Sequence, residues 1–455
     1  MEKNKVHIVG IGGCGASGVA RYLKALGMEV TGSDSDRART VGLKTAGIPV
    51  EDAHSAGNIG NPDVVLFSPG VFAAARELST ARRKKIPVLT WQEFLGKFLS
   101  RRTGDSFMVA GTFGKGSTAA ILGHILAAAY LDPLAILGVD DLSWDSNIRI
   151  GSGPWLLEAD EYDRHFHFFH PSYTVLTSLE HEHVSTYKTF ESYVDAFARF
   201  FRSMKQPHAV VAKRTPSIDA NTKRLFPNGA ITYSISDDAD VRGTISSESA
   251  EGSRFMLHSP KFSVEHREFE IRVPGRIHVE NAVGAIALAL AAGIDINAAN
   301  AGLATFRGLK SRYEVVRHGA FTTIFDYAHT PDRIRPVIEH TKKLFPGKRI
   351  IVLFEPHLYS RTKQYLGEFT AVLREANRSY VTDIFPSREA KSPLRKKVHA
   401  KDLTKDGGDR VLYVGSLENG ISTIERNRTE RDVVLVLGAG PVQFASRKLT
   451  DTIAR

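Results

Sequence analysis

A chain of 455 residues is too long for one hydrophobic core and is expected to fold as about two to four domains. Its 42% hydrophobic and 24% charged residues fit a soluble globular protein, and a single cysteine, Cys14, excludes a disulfide framework and fits a reducing cytoplasm. The net charge of +10 invites an anionic partner, but the densest basic runs, residues 82–85 and 395–397, carry no interleaved aromatics and read as solvated faces. Nucleic acid is therefore not expected, and small anionic ligands are. The longest apolar stretch, residues 119–131, is far short of the about 20 residues that a membrane span needs.

Residues 6–9 predict a first strand, Gly10-Ile11-Gly12-Gly13-Cys14-Gly15 a turn, and the residues up to 26 an amphipathic helix. A second strand, 29–31, ends at Gly32-Ser33-Asp34. A G-x-G-x-x-G turn followed about 20 residues later by an acid seats a diphosphate on a helix N-terminus and a ribose hydroxyl on a carboxylate. This pattern fits a dinucleotide-dependent dehydrogenase and any other binder of a nucleotide diphosphate. Strands at 63–67, running into Ser68-Pro69-Gly70, and at 86–89 continue an alternating α/β unit. A helix at 91–99 closes it, and 101–106 reads as a linker and hinge.

The second unit opens with a buried strand at 107–110, then Gly111-Thr112-Phe113-Gly114-Lys115-Gly116-Ser117-Thr118, then an Ala/Leu/Ile-rich helix. Strand, glycine turn and helix in that order aim backbone N–H groups at a phosphate. The spacing is G-x-x-G-K, not G-x-x-x-x-G-K-[ST], and an ordinary strand–helix turn is the alternative. Strand 155–157 leads into Glu158-Ala159-Asp160-Glu161, and strand 173–177 into Ser178-Leu179-Glu180-His181-Glu182-His183. Acids and histidines at strand ends beyond a phosphate loop suit Mg²⁺ and catalysis; an acidic surface turn and a solvent-facing His181 are the alternatives. Residues 214–272 read as short strands and polar turns without chemistry, and a helix follows from Gly275-Arg276-Ile277-His278-Val279-Glu280-Asn281 to 292.

In the third unit, strand 322–325 ends in Asp326-Tyr327-Ala328-His329 and strand 349–354 in Glu355-Pro356-His357-Leu358-Tyr359-Ser360-Arg361. A helix at 332–344 and strands at 380–383 and 433–437 complete it, the last ending at Gly438-Ala439-Gly440. Two separate phosphate loops imply two nucleotide-bearing ligands, one a triphosphate, and hence an ATP-driven joining reaction. A dehydrogenase would leave Lys115 and the later units unexplained.

The motifs at residues 7–13, Gly111-Thr112-x-Gly114-Lys115, Asn147-x-Arg149, Glu158-Ala159-Asp160-Glu161, Val279-Glu280-Asn281-Ala282, Asp326-Tyr327-Ala328-His329, residues 356–362 and Gly438-Ala439-Gly440 stand in the order of the Mur ligases, and the chain resembles that family over essentially its full length. The resemblance implies an α/β fold of three domains. These are an N-terminal Rossmann-like UDP-sugar-binding domain at 1–103, a central P-loop ATPase-like domain at 104–311 and a C-terminal Rossmann-like amino-acid-binding domain at 312–455. It implies a cytoplasmic step of peptidoglycan synthesis that joins L-alanine to the carboxylate of UDP-N-acetylmuramate through an acyl phosphate, with ATP and Mg²⁺. A murein-peptide recycling ligase of the same fold and a UDP-sugar-binding paralogue with reduced catalysis are the alternatives. The expected partners are these small molecules alone, without membrane insertion, for a monomer or weak homodimer.

Carried over to this chain, Gly10, Gly12, Gly13, Gly15, Ser33, Asp34 and Ser68 would hold the UDP-sugar. Gly111, Thr112, Gly114, Lys115, Gly116, Ser117, Asn281, Arg312 and Asp326 would hold ATP, and Ser117, Glu158 and His183 the metal. His329, His357 and Arg361 would form the amino-acid pocket, and Lys115, His183, Asp326 and His329 would act in catalysis. The chain departs from the family pattern at Phe113, Gly116 and Ser117, at Ser178 and Glu182, and at Ile277-His278. The departure at Gly116 removes a hydroxyl that serves those enzymes as a Mg²⁺ ligand.

Overall fold

The computed structural model describes residues 4–71, 75–205, 209–318 and 321–444, and among these the strands form three sheets. The first is built from β1 (Lys5–Val9), α1 (Cys14–Ala25), β2 (Glu29–Ser33), α2 (Arg37–Thr45), β3 (Val50–Glu51), β4 (Val64–Phe67), α3 (Ala75–Arg83), β5 (Val88–Thr90) and α4 (Trp91–Leu99). Its strands are parallel in the order β3-β2-β1-β4-β5. The order reverses at β1, so the crevice that an open α/β sheet offers to a ligand lies at the carboxyl end of β1, where the glycine turn sits.

The second sheet comprises β6 (Ser106–Ala110), β7 (Leu134–Asp141), β8 (Ser146–Arg149), β9 (Trp155–Glu158), β10 (Tyr173–Leu176), β11 (Ala209–Lys213), β12 (Ile231–Ser234), β13 (Val241–Ser249), β14 (Gly252–Ser259) and β15 (Val264–Ile271). Its helices are α5 (Lys115–Ala128), α6 (Phe190–Arg202), α7 (Pro216–Leu225), α8 (Arg276–Ala291) and α9 (Ile296–Thr305). Strand β6 lies between β10 and β9, is buried at every residue and delivers the phosphate loop to the sheet's centre. Helix α7 falls inside the segment read as strands and turns. Thr215 caps it by accepting from the Ile218 N–H, and Pro216 occupies its first turn, where a missing N–H costs nothing.

The third sheet holds β16 (Glu314–His318), β17 (Phe321–Asp326), β18 (Arg349–Phe354), β19 (Arg378–Thr382), β20 (Val411–Gly415) and β21 (Asp432–Leu437), in the order β16-β17-β21-β18-β19-β20. Only β16 runs antiparallel to its neighbour. Helices α10 (Pro331–Leu344), α11 (Tyr359–Gln364), α12 (Leu366–Leu373) and α13 (Leu417–Asn427) accompany it. Strand β21, Asp-Val-Val-Leu-Val-Leu, is buried throughout, as a central parallel strand requires.

The chain divides near Arg307 into two compact units, the first carrying the first two sheets and the second carrying the third. Within the first unit, Asn147 Nδ2 donates to the Cys14 carbonyl at 2.5 Å and to Ser17 Oγ at 3.1 Å, tying β8 to the first turn of α1. Gln92 of α4 donates to Asp160 at 3.1 Å. Arg102 donates to the Ser152 and Gly153 carbonyls at 2.6 and 2.8 Å and to Tyr22 Oη at 3.1 Å, so the segment read as a hinge is fastened to the elements on either side of it.

Candidate active site

At the first glycine turn each glycine answers a different constraint. Gly10 has φ +76, and a Cβ there would lie 2.2 Å from Val71 Cγ2. A Cβ at Gly12 would lie 2.9 Å from Asp34 Oδ2, and one at Gly15 2.4 Å from Trp91 Cζ2. Gly15 therefore lets helix α1 approach the Trp91 ring. Asp34 braces the turn itself, accepting from the Gly12 N–H through Oδ2 and from the Asp36 N–H through Oδ1, both at 2.9 Å. Gly13 caps α1 without a side-chain acceptor, which leaves the helix's first N–H groups open beside half-buried Ser68. A helix N-terminus of this kind suits an anion.

Ser33 takes a different place from Asp34. Its hydroxyl is fully buried and donates to Glu77 Oε2 at 2.9 Å. Glu77, also fully buried, accepts from Asn58 Nδ2 at 2.8 Å and meets His54 Nδ1 at 3.1 Å and His7 Nε2 at 3.8 Å. Burial would raise this carboxyl's pKa, but the nearby His7 ring, the hydrogen bonds from Ser33 and Asn58 and the His54 ring outweigh it and hold the group below the usual glutamate range.

The phosphate loop is anchored before it meets any ligand. Gly111 (φ +134) and Gly114 (φ +82) supply backbone angles that other residues resist, and Gly114 caps α5 without a side-chain acceptor. The Thr112 hydroxyl, buried, donates to the Glu180 carbonyl and accepts from the Glu180 N–H, both at 2.9 Å, and lies 3.1 Å from Tyr193 Oη. Ser178 takes the Phe113 N–H on Oγ at 2.7 Å, and its carbonyl takes the Thr112 N–H at 3.3 Å. The N–H groups of the first turn of α5, at Lys115, Gly116 and Ser117, have no partner within the helix, as at any helix N-terminus. Asn281 of α8 backs the loop: a Cβ at Gly114 would lie 2.8 Å from its Oδ1.

Lys115 donates to the Gly111 carbonyl at 2.5 Å and lies 2.9 Å from Glu161 Oε2, with only 17% of its side chain exposed. His183 Nε2 stands 3.4 Å from Glu161 Oε1 and 3.9 Å from Glu182 Oε2. The hydrogen bond with Glu161 raises the His183 pKa against the effect of burial, with the Glu161 and Glu182 charges adding to it. Among the described residues, Glu161, Glu182 and His183 form a cluster whose donors could hold a cation, their ligand atoms lying within 4.8 Å of one another. Glu158, named from the sequence, ends β9, and its Oε1 accepts the Gly138 N–H at 2.5 Å. A Cβ at Gly116 would lie 3.2 Å from that oxygen, so the glycine gives the first turn of α5 a close approach to Glu158.

Glu161 is the residue the sequence reading passed over. It lies three positions beyond the strand end, just before a turn in which Asp163 and Arg164 take φ +48 and +61, and Tyr187 Oη donates to its backbone carbonyl at 2.5 Å. The motif contained it, but nothing local marked it over Glu158 as the partner of Lys115.

In the second unit, Asp326 ends β17 and accepts from the Tyr313 and Ala328 N–H groups, each at 2.8 Å. Burial raises its pKa, partly offset by the Arg312 charge. Arg312 stacks over the Tyr327 ring at 4.7 Å. His329 Nδ1 faces the Tyr327 carbonyl at 2.8 Å and carries the proton there; burial, with Arg361 and Arg333 nearby, lowers its pKa to about 4. His357 lies 6.0 Å away ring to ring, and its Nδ1 takes a hydrogen bond from Arg361 Nη1 at 3.0 Å. Two imidazoles and a guanidinium thus stand beyond the carboxyl ends of β17 and β18, the two strands that flank β21.

The geometry can be set beside known proteins. Residues 5–103 match the model of the Mur ligase family catalytic domain, residues 109–289 that of the Mur ligase middle domain, and residues 311–440 that of the Mur ligase glutamate ligase domain. The chain is 33% identical to the UDP-N-acetylmuramate–L-alanine ligase of Chlorobium phaeobacteroides (strain BS1), over 98% of this chain and 97% of that one. It is 32% identical to the ligase of the same name from Halorhodospira halophila, over 96% and 91%. The crystal structure of the UDP-N-acetylmuramate–alanine ligase of Thermotoga maritima superposes with a TM-score of 0.84 at 29% identity, over 99% of both chains. A murein peptide ligase from Psychrobacter arcticus shares the fold, at 20% identity with a TM-score of 0.69. With relatives this similar along nearly all of its length, the chain belongs to the Mur ligase family.

Proposed function

We propose that the chain joins L-alanine to the carboxylate of UDP-N-acetylmuramate, using ATP to make that carboxylate an acyl phosphate. The observation that carries the reading is the pair of glycine-ended anion seats, at α1 and α5, in a chain that aligns end to end with ligases of that activity. A carboxylate is a poor electrophile. Moving a phosphoryl group onto it supplies a leaving group, and the amine of the amino acid then displaces phosphate to leave an amide.

Gly10, Gly12 and Gly13 would hold the UDP diphosphate against the open N–H groups of α1, with Asp34 keeping the turn in shape. Gly111, Gly114, Gly116 and Ser117 would receive the ATP phosphates on the first turn of α5, and Lys115 would face the β- and γ-phosphates. Lys115 now spends its charge on Glu161 and on a loop carbonyl, so binding would draw the ammonium from these to phosphate. Glu161, Glu182 and His183 fit Mg²⁺ in donor type, two carboxylates and an imidazole, and Ser117 and Glu158 are assigned to the same ion from the sequence. When bound, magnesium would spread the charge that develops during phosphoryl transfer.

Arg312, Asp326 and Asn281 are assigned to the nucleotide, and Arg361 to the amino-acid carboxylate, which a guanidinium meets bidentately. His329, neutral at physiological pH, would accept a hydrogen bond from the incoming amine without adding charge. Among the described residues no helix is long and apolar enough to cross a membrane. We place the reaction in the cytoplasm, carried out by a monomer or weak homodimer.

Phosphate release tests the reading. With ATP, Mg²⁺ and UDP-N-acetylmuramate, release is expected with L-alanine and not with L-alanyl-γ-D-glutamyl-meso-diaminopimelate. Release only with the tripeptide would indicate a recycling ligase, and UDP-sugar binding without turnover a non-catalytic paralogue.

A further inference from the structure

The terminal Gly438-Ala439-Gly440 turn, read from the sequence only as a family mark, has a physical task in the fold. It follows β21, whose neighbours are β17 and β18, and it encloses the side chain of Glu355 at the carboxyl end of β18. Glu355 is 5% exposed, and its Oε1 accepts the Val442 N–H at 3.3 Å. A Cβ on Gly440 would lie 2.4 Å from that oxygen and 2.6 Å from Phe385 Cδ1, so the Gly440 backbone is wedged between the carboxyl and the ring. Phe385 in turn grips the stretch after Glu355. Its N–H donates to the Pro356 carbonyl at 2.8 Å, and its carbonyl accepts the Leu358 N–H at 2.9 Å. Between those two bonds sits His357, joined to Arg361 at 3.0 Å, while Leu358 holds φ +71.

We propose that Glu355 is a positioning residue: its carboxyl clamps the turn at residues 438–442 against Phe385 and thereby sets His357 and Arg361 for the amino-acid substrate. This rests on the ligase reading above and deepens it. The clamp is sensitive to charge. Burial raises the Glu355 pKa to about 7, against the smaller opposing effect of the Val442 and Gly440 N–H groups. The groups packed on it from the turn and from residue 385 are Gly438, Gly440, Val442 and Phe385, none titratable. Of the strands that flank β18, β21 ends in this turn, and β19 leads into Asp383, which accepts the Tyr413 hydroxyl; Asp326, at the end of β17 beyond β21, has its oxygens taken by the Tyr313 and Ala328 N–H groups. His357 is the next titratable group along the chain, and it is directed to Arg361. Ionisation of Glu355 therefore buries a charge with no cation beside it among the described residues, and the turn loosens as pH rises through 7.

The test compares wild type with Glu355→Gln, which keeps an acceptor for the N–H groups and removes the titration. KM for L-alanine is measured from pH 6 to pH 8 by phosphate release, with the KM values for ATP and UDP-N-acetylmuramate alongside. Because a carboxyl of pKa near 7 passes from mostly neutral to mostly charged over that range, the ratio of wild-type to variant KM for L-alanine is expected to rise about threefold or more. The effect of pH on the amine itself cancels in the ratio, and the other two KM ratios should stay level. A level L-alanine ratio, or three ratios moving together, would overturn the proposal. If Glu355→Gln does not fold, Gly440→Ala with Glu355 intact replaces it: a raised L-alanine KM alone supports the clamp, and an unchanged one overturns it. Absence of wild-type turnover would overturn the ligase reading and the clamp together, whereas turnover with a level ratio overturns the clamp alone.

Discussion

The ammonium of Lys115 lies 2.9 Å from Oε2 of Glu161, a carboxylate 46 positions later in the chain whose side chain is only 3% exposed. A buried ion pair of this kind is strongly destabilising to break from one side, because the remaining charge keeps its desolvation cost. Here the lysine has an alternative anion waiting in the reaction. The pair therefore reads as the resting partner of a cation that ATP phosphates would claim.

Lys115→Ala should lower kcat by about 10²–10³-fold or more, since it removes a preorganised charge from a phosphoryl-transfer site. The UDP-sugar seat at α1 is built from other residues, so its Kd should be unchanged by titration calorimetry. Turnover within a few-fold of wild type would remove the phosphate loop from the mechanism. Glu161→Gln should leave UDP-sugar affinity alone and raise the Mg²⁺ concentration needed for half-maximal turnover by about tenfold or more. An unchanged Mg²⁺ requirement would exclude Glu161 from the metal set.

The glycines of the first turn should separate by phenotype. At Gly12 a branched side chain would collide with Asp34, which sits 2.9 Å from the Cβ position, and would occupy the diphosphate's space. Gly12→Val should therefore abolish UDP-sugar binding. Gly15→Ala meets the Trp91 ring at 2.4 Å and should cost about 1–3 kcal/mol of stability through overpacking, with a smaller effect on affinity. Equal affinity losses with no loss of stability in Gly15→Ala would mean that Gly15 faces the ligand.

That difference shows how far the sequence could be read. The G-x-G-x-x-G spacing predicted the turn correctly because it is a local signal, a strand followed by residues that tolerate positive φ. It could not say that the last glycine answers a tryptophan 76 positions later. The same holds in the second sheet. The strand, loop and helix at residues 106–128 were legible from an apolar run and two glycines, whereas the grip of Glu180 and Tyr193 on Thr112 and of Glu161 on Lys115 depends on strand order. Helix α7 was missed for another reason. It buries only Ile218 and Leu225, so its apolar period is faint, and its signals were Thr215 and Pro216 at the start.

Glu77 predicts a pH dependence in the first sheet. Its folded pKa lies below the ordinary value of 4.5, so it contributes stability that is present above that pH and is lost as pH falls through the folded value. Glu77→Gln should destabilise the protein near neutrality, by about 1–3 kcal/mol for a buried, multiply hydrogen-bonded group. The gap from wild type in urea denaturation should close as pH is lowered past 4.5. A gap that stays constant with pH would mean that the carboxylate's charge plays no part in the network.

His329 carries the opposite chemistry on the second unit. Its imidazole pKa is depressed from 6.5 to about 4, chiefly by burial and further by Arg361, Arg333 and His357. Folded-state protonation is thus disfavoured: the contribution to stability is complete above pH 6.5 and is lost as pH falls toward 4. Between pH 6 and 8 the ring should stay neutral, and its Cε1–H resonance should titrate near 4 instead of near 6.5. Arg361→Ala removes one of the depressing charges, so that midpoint should move upward. The same substitution removes the expected partner of the substrate carboxylate and should raise the KM for L-alanine about 10–100-fold, the loss expected for a charged hydrogen-bond pair. An upward shift of the His329 midpoint without a change in KM would keep the electrostatic link and detach Arg361 from substrate binding. A raised KM with the midpoint fixed would do the reverse. Both changes together would place one guanidinium behind the neutral histidine and the amino-acid carboxylate alike.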